Sequence, residues 1–263
     1  MLFLLPLAAA AQSGIDGSWK LNLNMAKLDP KPMVLEVKDG MYTCSSCDPK
    51  ISIKANGEAQ KVSGSPYVDS EKITLVNDKT VERVGMKGDK VIFSETMTVS
   101  SDGATLNISH EEHPAASEMP TTAAGMFSRV SQPEAGAHAL SGSWKPEKWV
   151  SASDNALTFK YQMSGDGVTY TASDGESYTA KVDGKDYAYT GDPGITSVSL
   201  KKIDEHTLQE TYKRRGEVVG TNRISISPDG RTLTVVSNDL RRGTQNTFVA
   251  EKHGPSGEAS ADK

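Results

Sequence analysis

Aromatic residues make up only 6% of this 263-residue sequence, and hydrophobic residues only 36%. That is lean for one large core and suits thin β-sheets with a wet face better than a deeply buried α/β interior. Cysteine is nearly missing, with only Cys44 and Cys47. Concentrated positive charge is missing too: the formal net charge is −5, with both signs spread along the chain. Nucleic-acid binding needs a basic surface, so that class is set aside. The short runs Lys213-Arg214-Arg215 and Arg241-Arg242 lie beside turn signals and read as solvated hairpin ends.

No stretch keeps a helical apolar period over eleven residues or more, and no apolar run is long enough to cross a bilayer as a helix. The longest, Met1 to Ala11, suits a signal-peptide core cleaved after Ala9-Ala10-Ala11, although no Lys or Arg precedes it. No cysteine follows it to take a lipid. An exported protein, periplasmic or secreted, is therefore expected, with no transmembrane segment in the mature chain. Nucleophile elbows, phosphate-cradling glycine loops, dinucleotide fingerprints and metal-ligand pairs are also missing. Carboxylate pairs such as Asp69 with Glu71 and Asp174 with Glu176 read as ordinary turn chemistry.

What is present is a repeat. Gly17-Ser18-Trp19-Lys20 returns as Gly142-Ser143-Trp144-Lys145, and Lys61-Val62-Ser63-Gly64 as Lys181-Val182-Asp183-Gly184. Asn77-Asp78-Lys79-Thr80-Val81 parallels Asp204-Glu205-His206-Thr207-Leu208. Ser101-Asp102-Gly103 parallels Pro228-Asp229-Gly230. The order of the matches is kept, which points to duplication. The division expected is a signal peptide at 1–11, a first β unit at 15–130, an Ala/Gly/Ser/Pro-rich linker at 131–141, a second β unit at 142–252, and a disordered tail at 253–263.

Within each unit, short period-two runs alternate with turn dipeptides. Val91, Phe93, Met97 and Val99 alternate with polar residues, Asp102-Gly103 turns the chain, and Leu106 and Ile108 alternate on the return. Eight or nine strands per unit are expected, in an all-β fold of two tandem antiparallel up-and-down meanders. Such a meander loses its exposed edges most simply by closing into a barrel.

The opening Gly17-x-Trp19 and Gly142-x-Trp144 resemble the Gly-x-Trp pattern on the first strand of lipocalins and their fatty-acid-binding relatives. The resemblance implies an up-and-down barrel of eight to ten strands, closed at one end by the tryptophan. It also implies a basic side chain over that ring, with Arg129 and Lys252 as candidates. Asp16-Gly17-Ser18-Trp19-Lys20, Tyr42-Thr43-Cys44-Ser45-Ser46-Cys47, Thr80-Val81-Glu82 and Ser227-Pro228-Asp229-Gly230 also resemble exported bacterial proteins with duplicated lipocalin-like halves and no established activity.

Candidate functional residues are few. Cys44 and Cys47 form a C-x-x-C followed by Asp48-Pro49 and another strand. No helix follows to favour a redox centre, Asp48 excludes haem attachment, and no further zinc ligands lie nearby. A turn-pinning disulfide is favoured, with redox and metal roles as alternatives. His110 and His113 in His110-Glu111-Glu112-His113 are weak metal candidates, because positions three apart on a strand face opposite ways. Arg83, Glu95, Glu210 and Asn222 share strand faces with apolar residues. They would be polar handles if those faces point into a barrel.

The function expected is non-enzymatic binding of a small apolar or amphipathic ligand in a barrel, without a cofactor. The alternative is a structural or interaction protein with filled barrels that meets its partner through loops or edges. A hydrolase or isomerase on the same scaffold is the minor third reading.

Overall fold

A computed structural model describes residues 14–114 and 116–254. The expected signal segment and residues 255–263 of the expected tail lie outside it. The first repeat contributes β1 (Gly17–Leu21), β2 (Met33–Lys38), β3 (Met41–Cys44), β4 (Ile51–Lys54) and β5 (Ala59–Lys61). It continues with β6 (Ser70–Asn77), β7 (Thr80–Lys87), β8 (Lys90–Val99), β9 (Thr105–Glu112) and β10 (Thr121–Ser131). The second begins with β11 (Gly142–Ala152), the single helical turn α1 (Asp154–Leu157), β12 (Thr158–Ser164), β13 (Gly167–Ala172) and β14 (Ser177–Lys181). It ends with β15 (Asp186–Thr190), β16 (Ser197–Asp204), β17 (Thr207–Arg214), β18 (Glu217–Ile226), β19 (Thr232–Asp239) and β20 (Thr244–His253).

The fold is all-β, with two antiparallel up-and-down sheets of ten strands each. The expected eight or nine strands per unit is thus too few. The three-residue β5 is too short to show alternation, and Thr/Tyr-rich β14 and β15 lack an aliphatic signature. No helix among the described residues is long and apolar enough to cross a membrane.

The first strands are exchanged between the repeats. β1 lies between β12 and β20 and closes the second sheet into a barrel. β11 lies between β10 and β2 in the first sheet, which runs from β4 round to β5. Each sheet therefore owes one strand to the other repeat. Trp19 packs among Tyr161, Val168 and Ile224 of the second repeat, while Trp144 packs among Leu35, Val81 and Leu106 of the first.

Both tryptophans are fully buried, and each indole N–H donates to a carbonyl four residues earlier, Trp19 to Ile15 at 2.9 Å and Trp144 to Leu140 at 2.8 Å. The glycine two residues before each tryptophan has positive φ, +132° at Gly17 and +124° at Gly142. A β-carbon on Gly142 would sit 2.4 Å from the Ser131 carbonyl oxygen, so glycine is required there on both counts. The residues leading into β11 are tightly held: Leu140 is buried, and the Ser141 hydroxyl accepts from the Val37 N–H at 2.8 Å.

The seam opposite the exchanged strand differs between the sheets. In the second barrel, β14 and β15 pair at Ser177–Thr190 and Tyr178–Tyr189. In the first sheet, no backbone ladder joins β4 to β5. The Gln60 side-chain amide bridges them, accepting from Lys54 N–H at 3.0 Å and donating to its carbonyl at 2.7 Å.

Candidate functional site

Cross-strand pairing lets the interiors be compared position by position. Arg83 pairs with Glu95, and Glu95 with His110; in the second barrel Glu210 pairs with Asn222, and Asn222 with Ser237. Arg83 therefore occupies the place of Glu210, and Glu95 that of Asn222. By the same register, Leu35, Cys44 and Ile51 correspond to Tyr161, Tyr170 and Tyr178. A charge of opposite sign sits at the same depth in each barrel, with different neighbours.

In the first barrel the neighbours are charged. Arg83 grips Glu71 of β6 with two bonds, Nε to Oε2 at 2.7 Å and Nη2 to Oε1 at 2.9 Å. The Glu71 side chain is 3% exposed and that of Arg83 16%. Glu95 Oε1 lies 3.9 Å from Arg83 Nη1, and its Oε2 lies 3.6 Å from His110 Nδ1. Phe93 completes the group, lying 4.9 Å from the guanidinium and stacking on His110 at 5.5 Å. Its ring rests on Gly85, where a β-carbon would come within 2.1 Å of it. Burial works against the Arg83 charge, but the Glu71 bond with Tyr42 and Glu95 nearby more than offsets it, so the guanidinium is held protonated.

This group forms the floor of a cavity of about 970 Å³. Ile51, Val68, Ile92 and Pro114 supply apolar wall, and turns of the second repeat bring Asp174, Glu176, Asp192, Arg241 and Arg242. Arg241 pairs with Asp48 of the first repeat at 3.2 Å. The Cys44–Cys47 pair, at a disulfide Sγ–Sγ separation of 2.06 Å, borders the cavity through Cys47. Glu176 accepts from the Tyr189 hydroxyl at 2.6 Å. Burial pushes its carboxyl up to about 7, with Asp174, Asp192 and Glu112 adding to the effect and the Tyr189 bond opposing it. Burial likewise raises Glu112, against the pull of His110.

The second barrel treats its interior charge differently. Glu210 is fully buried and faces hydroxyls instead of a cation. Tyr161 donates to it at 2.9 Å, Tyr178 and Tyr212 donate through short bonds, and the Asn222 amide lies at 3.3 Å. Burial raises the Glu210 carboxyl above the ordinary carboxylate range, and these donors only partly oppose the rise. Above this hub a smaller cavity of about 190 Å³ is walled by Phe159, Tyr170 and Phe248. Asp174 borders both cavities.

The residues singled out from the sequence thus fall into three places. Arg83, Glu95 and His110 meet at the floor of the larger cavity, and His113 reaches its lining while pairing with Glu111 at 3.1 Å. Glu210 and Asn222 meet in the second barrel. Trp19 and Trp144 lie at the opposite, packed ends, where Arg129 stands 4.0 Å from the Trp144 ring and Lys252 5.4 Å from that of Trp19. Among the described residues, no group of three or more His, Cys, Asp or Glu side chains is placed to hold a metal ion.

The sequence pattern places Glu71 and Glu176 in turns. Glu71 is instead an inward strand position, and its one sequence signal is its place two residues before the apolar Ile73 on the same face. Glu176 is in a turn, as read, but the fold carries that turn over the other repeat's cavity. No known protein-family description matches this sequence, and no curated protein is similar enough to it to lend it an activity.

Proposed function

We propose that this is an exported, non-enzymatic binding protein that holds a small amphipathic molecule in the cavity of the first barrel. The observation carrying this reading is a cavity of about 970 Å³ whose floor gathers Arg83, Glu71, Glu95 and His110 under partly apolar walls. Its volume lies within the roughly 300–1,000 Å³ common for small-molecule sites, and such sites pair apolar walls with a few convergent polar groups. The charged floor favours an amphipathic ligand over a wholly apolar one, with its polar group meeting Glu95 and His110. Ten antiparallel strands and a basic side chain near each closing tryptophan support placing both barrels with lipocalins and fatty-acid-binding proteins.

Native mass spectrometry of protein purified from its own host tests this. A co-purifying small molecule is expected, present in the wild type and depleted in Glu95→Gln and His110→Leu. Protein that arrives empty in repeated preparations counts against carriage.

The open seam between β4 and β5 favours a second reading, an interaction protein that accepts an extended segment of a partner as an added strand. Enrichment of a protein partner, lost when Pro is placed at Ser52 on the free edge, would favour it over carriage.

A further inference from the structure

Beyond the larger cavity, we infer that the open end of the second barrel is a separate site for a small organic ammonium ion. The 190 Å³ cavity there is too small for a whole drug-sized ligand, for which about 300 Å³ is the lower bound, and suits a head group. Its walls are aromatic: Phe159, Tyr161, Tyr170 and Tyr212 line it, with Phe159, Tyr161 and Tyr170 in mutual ring contact at 5.2–6.0 Å. Aromatic faces are electron-rich and attract cations, most strongly where water is displaced.

The charge balance points the same way. Among the described residues no Lys, Arg or His lines this cavity, whereas Asp174 stands on its border. Beneath it Glu210 is fully buried, and every side chain bonded to it is a neutral donor. In the first barrel the interior carboxylate Glu71 has Arg83 for a counter-ion. The second barrel has the acid without the base. Burial works against the Glu210 charge while four neutral donors favour it, so a ligand cation seated among the rings would tip the carboxyl to its ionised form and supply its counter-charge. A trimethylammonium group has the needed character, since it is cationic, apolar in surface and without donors to satisfy.

The test compares choline with its uncharged isostere 3,3-dimethylbutan-1-ol on the full chain, by calorimetric titration and saturation-transfer NMR. The wild type should bind choline at least about tenfold more tightly than the alcohol, a preference of about 1.4 kcal/mol. Glu210→Gln should bring the ratio close to one. Tyr170→Leu, which leaves the bonds to Glu210 in place, should weaken choline severalfold and gives an independent readout if Glu210→Gln does not fold. Equal binding of the two probes, or no binding of either, would overturn the assignment. So would a choline preference that survives both substitutions, which would place the ion elsewhere.

Discussion

The two barrels start from the same repeat and resolve one problem, a charged residue at mid-depth, in opposite ways. At the shared position the first carries Arg83 and the second Glu210. Around Arg83, the residues that would be tyrosines in the second barrel are Leu35, Cys44 and Ile51, so its partner comes from Glu71 on the next strand. Around Glu210, Tyr161, Tyr178 and Tyr212 converge and fill the space. One aromatic ring has even changed strands: Phe93 over Gly85 in the first barrel corresponds to Tyr212 beside Gly220 in the second. Filling with tyrosine coincides with a paired β14–β15 seam, and emptiness with an open β4–β5 seam. A duplicated sheet therefore yields a packed member and a hollow one through a few inward substitutions.

The comparison is broken most severely at the exchanged strands. Trp144→Ala should cost about 3–5 kcal/mol, as for other buried tryptophans. Although Trp144 belongs to the second repeat, the loss should appear first in amide exchange of β2 and β10. The same change at Trp19 should loosen β12 and β20. Loosening within the residue's own repeat would contradict the exchange. Of similar size, Arg83→Met should cost about 3–5 kcal/mol in urea unfolding, because it strands the Glu71 carboxylate. Adding Glu71→Leu should recover most of that loss; no recovery would mean that the pair is not the source of the cost.

Removing one donor from Glu210 should cost less. Tyr178→Phe is expected to lose about 1–3 kcal/mol, the cost of leaving a buried hydrogen-bonding group short of a partner. A cost near zero would show that the hub is not formed. The smallest effect is a pH slope. The Glu176 carboxyl sits at about 7 in the folded protein against an ordinary 4.5, so the folded state holds a proton that the unfolded chain has released. Stability from this group is therefore lost as the pH rises through that window. Glu176→Gln should flatten the fall in Tm between about pH 5 and about pH 8. An unchanged slope would remove Glu176 from the account.

Much of this was legible in the sequence. Fourfold matching between the repeats and strict alternation around Val81 and Leu208 placed Arg83 and Glu210, Glu95 and Asn222, at equivalent inward positions. The exchange was not legible, because Gly17-Ser18-Trp19-Lys20 and Gly142-Ser143-Trp144-Lys145 are the same residues. A pattern shared by both strands cannot say which sheet takes which copy. The tyrosine hub was hidden for a different reason. Tyr161, Tyr178 and Tyr212 read as ordinary strand formers, and only the register across separate strands aims their hydroxyls at one carboxylate. Glu176 owes its raised carboxyl mainly to burial, with Asp174, Asp192 and, from the other repeat, Glu112 adding to it, and no local pattern encodes that burial.

The contrast between a hollow first barrel and a filled second one is tested most directly by titrating isotope-labelled protein with a small-molecule extract of its host and following backbone amide shifts. Saturable shifts should gather at Phe93, Glu95 and His110 on the cavity floor and spare the packed end around Trp144, Val99 and Leu106. No shifts at all, or shifts confined to outward-facing strand edges, would contradict carriage in the first barrel.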